Sequence, residues 1–211
     1  MKYESIIWYW NGTLLNDVRI AIDSINYLLL DRKLVPLTLE RYLEVFTFPV
    51  QHYYEQIGFD LKNEPFEVPA NQFIAIYNKA VESCGLHGGS IPVLQHFQNR
   101  GCRQFILSAM EQKNLEKTIT ENDICHFFEV LCGLSDNYAA SKIENGKTLI
   151  HQNGLNPDQT LLIGDTTHDY DVANAIGCKC VLIANGHQSK KRLLCSGAKV
   201  LDNLEEIQNM I

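Results

Sequence analysis

The sequence predicts an α/β protein, a doubly wound parallel sheet interrupted by an inserted all-helical segment. Apolar runs of strand length stop abruptly at polar residues in three places, before Asn11, before Ser108 and before Asp165. Stretches with helical periodicity separate these runs, which is typical of a parallel sheet. Because parallel strands end at one edge of such a sheet, we expect the three polar strand ends to be neighbours.

The first strand comprises Ile6, Ile7 and Trp8 and is followed by the turn dipeptide Asn11-Gly12. Between residues 16 and 82, apolar residues recur at helical spacing over four stretches, without strand alternation. Asn16 and Asp17 are predicted to cap the first helix and to act as a hinge. We therefore expect residues 1–15 and 83–211 to form the α/β core and residues 16–82 to form a helical cap over the sheet edge.

From residue 85 onward, strands and helices alternate, which predicts a parallel sheet covered on both faces. Strands are predicted at 103–107, 127–131, 160–163, 179–183 and 198–200. Helices are predicted at 90–99, 112–118, 146–153, 170–176 and 204–211, with glycines 101, 154 and 177 as helix stops.

The composition excludes several classes of partner. The chain has 211 residues, 45% of them hydrophobic, and a net charge of −7, with no basic run beyond residues 190–192. We therefore expect no nucleic acid and no membrane as partner. No apolar stretch approaches the roughly 20 residues needed to span a bilayer. The MKYES start resembles no signal peptide, and seven scattered cysteines are typical of a protein with reduced thiols, so we expect a cytoplasmic protein. We expect it to be a monomer or a homodimer.

Asp165 and Asp169, four residues apart, straddle a predicted strand-to-helix turn. Carboxylates in this arrangement can point at one spot, and Mg²⁺ in proteins is bound by one or two carboxylates together with substrate phosphate. Alternatively, both side chains only cap the following helix and favour its dipole. The motif alone does not decide between these interpretations.

Two further residues could bind phosphate. Ser108, at a strand end before a helix, would place a hydroxyl and free N–H groups at one point, although such a serine is usually an N-cap. Lys142 is predicted in a loop before a helix, where a lysine is usually solvated but can also reach a phosphoryl group. Lys147, within the predicted helix, is the weaker candidate for that role.

Together, the NGTLL turn, the helical segment, the strand-end serine, a lysine and GDTTHD resemble the haloacid dehalogenase-like superfamily of phosphohydrolases. The position and length of the helical segment resemble its phosphoglycolate phosphatase branch. The resemblance implies Mg²⁺ as cofactor and a small phosphorylated metabolite as substrate. The implied phosphate-binding residues are Gly12, Thr13, Ser108, Ala109 and Lys142, and the implied metal ligands are Asp165, Asp169 and the Asn11 backbone carbonyl.

The first loop departs from the family pattern, Asp-x-Asp-Gly-Thr, in which the first Asp attacks phosphorus and the second is the general acid/base. Gly12 and Thr13 set the register, so Tyr9 stands at the nucleophile position and Asn11 at the acid/base position. A tyrosine has an unperturbed pKa of about 10 and binds Mg²⁺ poorly while protonated. An asparagine side chain cannot transfer the proton.

Three explanations follow, in order of preference. First, Tyr9 is a substitution in a chain whose close relatives are active phosphatases. Second, the chain is a pseudo-phosphatase that binds a phosphorylated ligand or partner. Third, Tyr9 is a phenolate nucleophile helped by Lys142 and metal. In the simplest reading, Tyr9 only fills the pocket. We expect a Mg²⁺-dependent phosphohydrolase by family, with low or no turnover for this sequence.

Overall fold

The computed structural model describes residues 3–134 and 142–209. Within this part of the chain, six parallel strands form one sheet in the order β3-β2-β1-β4-β5-β6. The strands are β1 (Ser5–Tyr9), β2 (Arg103–Glu111), β3 (Val130–Leu134), β4 (Thr160–Gly164), β5 (Lys179–Ile183) and β6 (Lys199–Leu201). The strand order reverses between β1 and β4, and ligands of open α/β sheets bind beyond the strand ends at such a reversal.

Helices cover both faces of the sheet, and the predicted α/β architecture is confirmed. Four of them, α1 to α4, lie between β1 and α5 in the segment predicted to be all-helical. The helices are α1 (Val18–Asp31), α2 (Leu39–Val45), α3 (Val50–Gln56), α4 (Glu67–Val81), α5 (Ser90–Asn99), α6 (Gln112–Glu121), α7 (Lys142–Gln152), α8 (Thr167–Ile176) and α9 (Lys190–Leu194). Among the residues described, no helix is long and apolar enough to cross a membrane.

Alternate residues of β1 serve opposite faces of the sheet, as strand geometry requires. Trp8 is fully buried in the larger hydrophobic cluster, and its indole N–H donates to Gln104 Oε1 at 3.0 Å. Ile7 and Tyr9 belong to the smaller cluster on the other face. Tyr9 pairs in register with Leu107 of β2, which places the end of β1 next to Ser108.

Four strand predictions were wrong in their bounds, those of β4 and β6 by one residue. β3 begins at Val130 rather than at residue 127, because Phe127 is buried from a 3-10 turn instead. Gly133, predicted to end this strand, lies inside it, where a Cβ would come within 2.8 Å of the Met110 carbonyl oxygen. β2 continues past Ser108 to Glu111, with its register against β3 shifted after Leu107.

Several helix bounds also differ from the prediction. α7 (Lys142–Gln152) includes Lys142, so this lysine lies in a helix and not in a loop. α8 begins at Thr167, because Thr166 caps it and forms a capping box with Asp169. The segment Leu204–Asn209 is a 3-10 helix, and α9 was not predicted. Polar first turns carry no apolar periodicity, so the pattern did not show where these helices begin.

Candidate active site

The first loop after β1 contacts the ends of two neighbouring strands. Ser108 Oγ donates to Asn11 Oδ1 at 3.1 Å, and Thr13 Oγ1 donates to Asp165 Oδ1 at 2.7 Å. Ser108, Thr13 and Asp165 are all buried. The predicted strand-end residues therefore lie around one site at the carboxyl edge of the sheet.

Lys142 contributes the ammonium group of this site. Its Nζ lies 3.3 Å from Asp169 Oδ1 and 4.4 Å from the centroid of the Tyr9 ring, and its side chain is 10% exposed. A second ring, that of Phe48, lies 4.8 Å from the same Nζ. Lys147 instead pairs with an exposed glutamate at 2.8 Å, with its own side chain 53% exposed. The structure thus places Lys142 in the site and Lys147 at the surface.

Tyr9 is the last residue of β1 and is 3% exposed. Its hydroxyl has no hydrogen-bond partner among the described residues. Burial raises the pKa of the phenol well above 10, and the charges of Asp169, Cys180 and Asp165 raise it further. Tyr9 is therefore a neutral phenol at physiological pH, able to donate a hydrogen bond but not to attack as a phenolate.

Asp17 binds the first loop instead of capping α1, which corrects the prediction. Although Asp17 is the N-cap residue, its side chain makes no capping bond. Its carboxylate accepts from the Gly12 N–H at 2.7 Å, from Asn11 Nδ2 at 3.3 Å and from the Tyr77 hydroxyl. Asn11 Nδ2 also donates to the Tyr77 oxygen at 2.7 Å. Tyr77 lies on α4, so this network joins the helical segment to the loop.

His187 is a site residue that the sequence reasoning missed. Its backbone N–H donates to Asp165 Oδ2 at 2.8 Å, its Nε2 lies 3.3 Å from Asp17 Oδ1, and its Nδ1 lies 2.8 Å from the Tyr42 hydroxyl. Burial lowers the pKa of the imidazole, but the carboxylates of Asp17, Asp165 and Asp169 outweigh burial and raise it. The surrounding carboxylates therefore favour the imidazolium form, which offsets part of the negative charge at this edge.

A sequence signal for His187 existed. It follows Asn185-Gly186, a turn dipeptide placed just after strand β5. β5 is the neighbour of β4, so a polar residue after its end belongs to the same sheet edge as Asp165.

The two aspartates of the GDTTHD motif are held differently. Asp165 is enclosed: each oxygen accepts a hydrogen bond, and burial raises the pKa of its carboxyl to about 6, partly offset by His187. Asp169 Oδ2 accepts from the backbone N–H groups of Asp165 and Thr166, while Oδ1 faces Lys142. Helix capping, the alternative considered from sequence, therefore applies to Asp169 but not to Asp165.

These residues do not form a complete magnesium site. The described part of the chain contains no group of three or more His, Cys, Asp or Glu side chains that could hold a metal ion. Asp165 and Asp169 already accept hydrogen bonds at both oxygens, and the neighbouring Tyr9 is a neutral phenol. The Asn11 carbonyl could add only one neutral oxygen ligand. We therefore assign no chemical step to a metal in the chain as it stands.

A cavity of about 710 Å³ lies between the strand ends and the inserted helices. Its floor includes Tyr9, Asn11, Ser108, Ala109 and Lys142, and its walls come largely from α2, α3, α4 and the segments between them. A volume of this size suits a small-molecule ligand.

Gly12 provides a test of how tightly the loop packs. Its φ is +70° and a Cβ there would lie 2.3 Å from Asp165 Oδ2, whereas Gly101 has a φ of +73° and nothing within 4 Å. Both Gly→Ala changes carry a left-handed backbone cost of about 1 kcal/mol. Gly12→Ala should lose about 1–3 kcal/mol more through steric overlap, measured by urea unfolding. Equal losses in the two variants would contradict the packing described.

Comparison with known proteins identifies the family. Residues 6–183 match the haloacid dehalogenase-like hydrolases, so the chain belongs to this family. No curated protein matches the sequence.

Solved structures share the fold over the whole chain. A predicted phosphoglycolate phosphatase from Haemophilus somnus is 19% identical with a TM-score of 0.78, covering 100% of this chain and 98% of that one. A predicted phosphatase from Clostridium acetobutylicum is 15% identical with a TM-score of 0.80, covering 100% and 98%. A mutant of CbbY from Rhodobacter sphaeroides in complex with xylulose-(1,5)bisphosphate is 15% identical with a TM-score of 0.75, covering 97% and 96%.

Proposed function

We propose that this chain binds a small phosphorylated metabolite at the carboxyl edge of the sheet and hydrolyses it at a near-background rate. The observation that carries the proposal is Tyr9, a buried neutral phenol at the end of β1, directly beside the Lys142 ammonium. In this family, the position that we align with Tyr9 holds the attacking aspartate. The site thus retains groups suited to holding a phosphoryl group but has no nucleophile.

Binding of the phosphoryl group is assigned to Ser108 and Lys142, with the backbone around Thr13 and Ala109 completing the cradle. The Ser108 hydroxyl could redirect its hydrogen bond from Asn11 to a phosphoryl oxygen, because both Ser108 and Asn11 line the cavity. Lys142 supplies a point charge that partly offsets the nearby carboxylates. CbbY, whose fold this chain shares, was solved with phosphate and with a sugar bisphosphate.

Two substitutions explain the low turnover. Tyr9 cannot form the aspartyl-phosphate of the family, and its raised pKa disfavours the phenolate route. Asn11 is neutral and engaged with Ser108, Asp17 and Tyr77, so it cannot transfer the proton to the leaving group. Loss of general acid/base help alone typically costs about 10²–10⁴ in rate.

We propose only weak binding of Mg²⁺ by this chain. Mg²⁺ would bind through Asp165, Asp169 and the Asn11 carbonyl and would supply charge stabilisation at the phosphoryl oxygens. Because the third carboxylate is replaced by Tyr9, we expect weak Mg²⁺ binding in this chain and tighter binding in Tyr9→Asp, as measured by calorimetry.

A second candidate is a non-catalytic pseudo-phosphatase that recognises a phosphorylated ligand or partner. The same observation favours it, since a buried neutral phenol at the nucleophile position suits binding without cleavage. In both cases we propose that residues 16–82 act as the cap over residues 1–15 and 83–211, in a cytoplasmic monomer or homodimer.

Release of p-nitrophenolate from p-nitrophenyl phosphate with Mg²⁺ tests the proposal. We expect near-background release from the chain as it stands, and no change in Tyr9→Phe, because the Tyr9 hydroxyl does not attack. Robust release that Tyr9→Phe abolishes would overturn the proposal in favour of a phenolate nucleophile.

A further inference from the structure

The cavity walls away from the strand ends are apolar and aromatic. Phe46, Phe48, Phe66 and Phe73 line the cavity, and each is only half-buried. Each of these rings keeps accessible surface that the described residues leave uncovered. Covering that surface with a flat apolar group of a ligand is favourable, because apolar area leaves water and rings can stack or meet edge to face.

The charges around the cavity suit a ligand with one anionic group. Within the described part of the chain, the inserted helices bring no Lys or Arg to the lining, and the ammonium there is that of Lys142. The carboxylates that line the cavity are Asp17, Glu111, Asp165 and Asp169. Among the described residues, a second phosphate or carboxylate at the helical end would therefore meet no Lys or Arg, and the His187 imidazole that also lines the cavity already faces Asp17 at 3.3 Å.

The helical wall also contains a neutral phenol, that of Tyr53. The Tyr53 hydroxyl is buried and has no hydrogen-bond partner among the described residues. Burial and the neighbouring Tyr54 raise the pKa of this phenol, so it stays protonated. The ring of Tyr53 packs edge-on against Phe46 at 5.3 Å, which places this phenol among the aromatic rings. Because the hydroxyl oxygen itself is enclosed, the Tyr53 side chain adds a neutral aromatic ring to the wall and no charge.

We propose, on the basis of the function proposed above, that the ligand is a phosphate monoester of an uncharged aromatic alcohol. Its phosphoryl group lies at Ser108 and Lys142, and its ring lies against Phe46, Phe48 and Phe73. This assignment differs from an ester with a second anionic group, such as 2-phosphoglycolate, whose carboxylate would face the helical wall without a Lys or Arg from the described residues.

Isothermal titration calorimetry of the full chain with four probes tests this inference. We expect phenyl phosphate to bind at least about tenfold more tightly than inorganic phosphate or 2-phosphoglycolate, because only its ring covers the aromatic wall. Phenol should bind more weakly than phenyl phosphate. If 2-phosphoglycolate binds as tightly as phenyl phosphate, the inference is wrong while the proposed function stands. If no phosphate compound binds, or phenol binds as tightly as phenyl phosphate, the proposed function itself fails.

Two matched variants separate the aromatic wall from the phosphoryl site. Phe73→Leu should weaken phenyl phosphate several-fold and leave inorganic phosphate unchanged. Tyr27→Leu, at a 63% exposed aromatic residue of α1 outside the cavity, should change neither affinity. The assignment would be contradicted if Phe73→Leu weakened both ligands equally or did not weaken phenyl phosphate. The four probes on the unaltered chain test the assignment independently of how the variants fold.

Discussion

Phosphatase activity is expected to appear when Tyr9→Asp is combined with Asn11→Asp. The first change supplies a carboxylate nucleophile and a third acidic group beside Asp165 and Asp169. The second supplies the general acid/base, which alone is typically worth about 10²–10⁴ in rate. We therefore expect kcat/KM for p-nitrophenyl phosphate with Mg²⁺ to rise by at least about 10³ over the unaltered chain.

The matched control is Tyr9→Asn with Asn11→Asp. Asparagine has the size of aspartate but cannot attack phosphorus, so this variant should stay near background. Tyr9→Asp alone should give a smaller gain than the double variant, because Asn11 still cannot transfer a proton. A folded double variant that binds Mg²⁺ yet remains silent would count against an impaired phosphatase and would favour the pseudo-phosphatase.

Lys142→Met in the Tyr9→Asp, Asn11→Asp background should cause the second largest effect. Lys142 is buried beside Tyr9 and Asp169 and is the lysine at the cavity floor. Removing a positioned group that stabilises charge in the transition state typically costs about 10²–10³ in kcat. We expect a loss of that size in steady-state kinetics with p-nitrophenyl phosphate.

Lys147→Met in the same background is the control, because Lys147 lies five residues further along the chain and pairs with Glu144 at the surface. Its activity should match that of the parent variant. If both lysine variants lose activity equally, or if Lys142→Met loses none, the assignment of Lys142 as the lysine that holds the phosphoryl group is wrong.

The meeting of Asn11, Ser108 and Asp165 could be predicted because a local apolar run precedes each of them, although β2 continues past Ser108 to Glu111. An apolar run that stops at Asn11, Ser108 or Asp165 predicts a strand followed by a polar loop. The rule that parallel strands end at one edge then places these residues together, and the contacts of Ser108 with Asn11 and of Thr13 with Asp165 agree with that expectation. The strand Lys179–Ile183 has the predicted bounds.

The roles of Asp17 and His187 could not be predicted in the same way. Asp17 at the start of a helix has the sequence signature of a cap, yet its carboxylate turns to the Gly12 N–H and the Tyr77 hydroxyl. Tyr77 lies 60 residues away in sequence. Contacts of this kind depend on how the inserted helices pack, and a single sequence carries no local signal for that packing.

The predicted bounds of some helices and strands were wrong for a related reason. Periodicity detects the apolar face of an element, whereas its first turn is often polar. Lys142 was therefore predicted in a loop although it lies in α7, and Gly133 was predicted to end a strand that in fact includes it. In both cases the missing information was tertiary: the pairing of Lys142 with Asp169, and the close approach of Met110 to Gly133.

The central claim is that the site holds a phosphoryl group that it cannot transfer. A ³¹P NMR spectrum of p-nitrophenyl phosphate with an equal amount of the unaltered chain and Mg²⁺ reports both parts at once. We predict a shifted or broadened ester resonance and no growth of inorganic phosphate over the hours that would suffice for an active phosphatase. An ester resonance identical to that of the free compound, or steady growth of inorganic phosphate, would contradict the account.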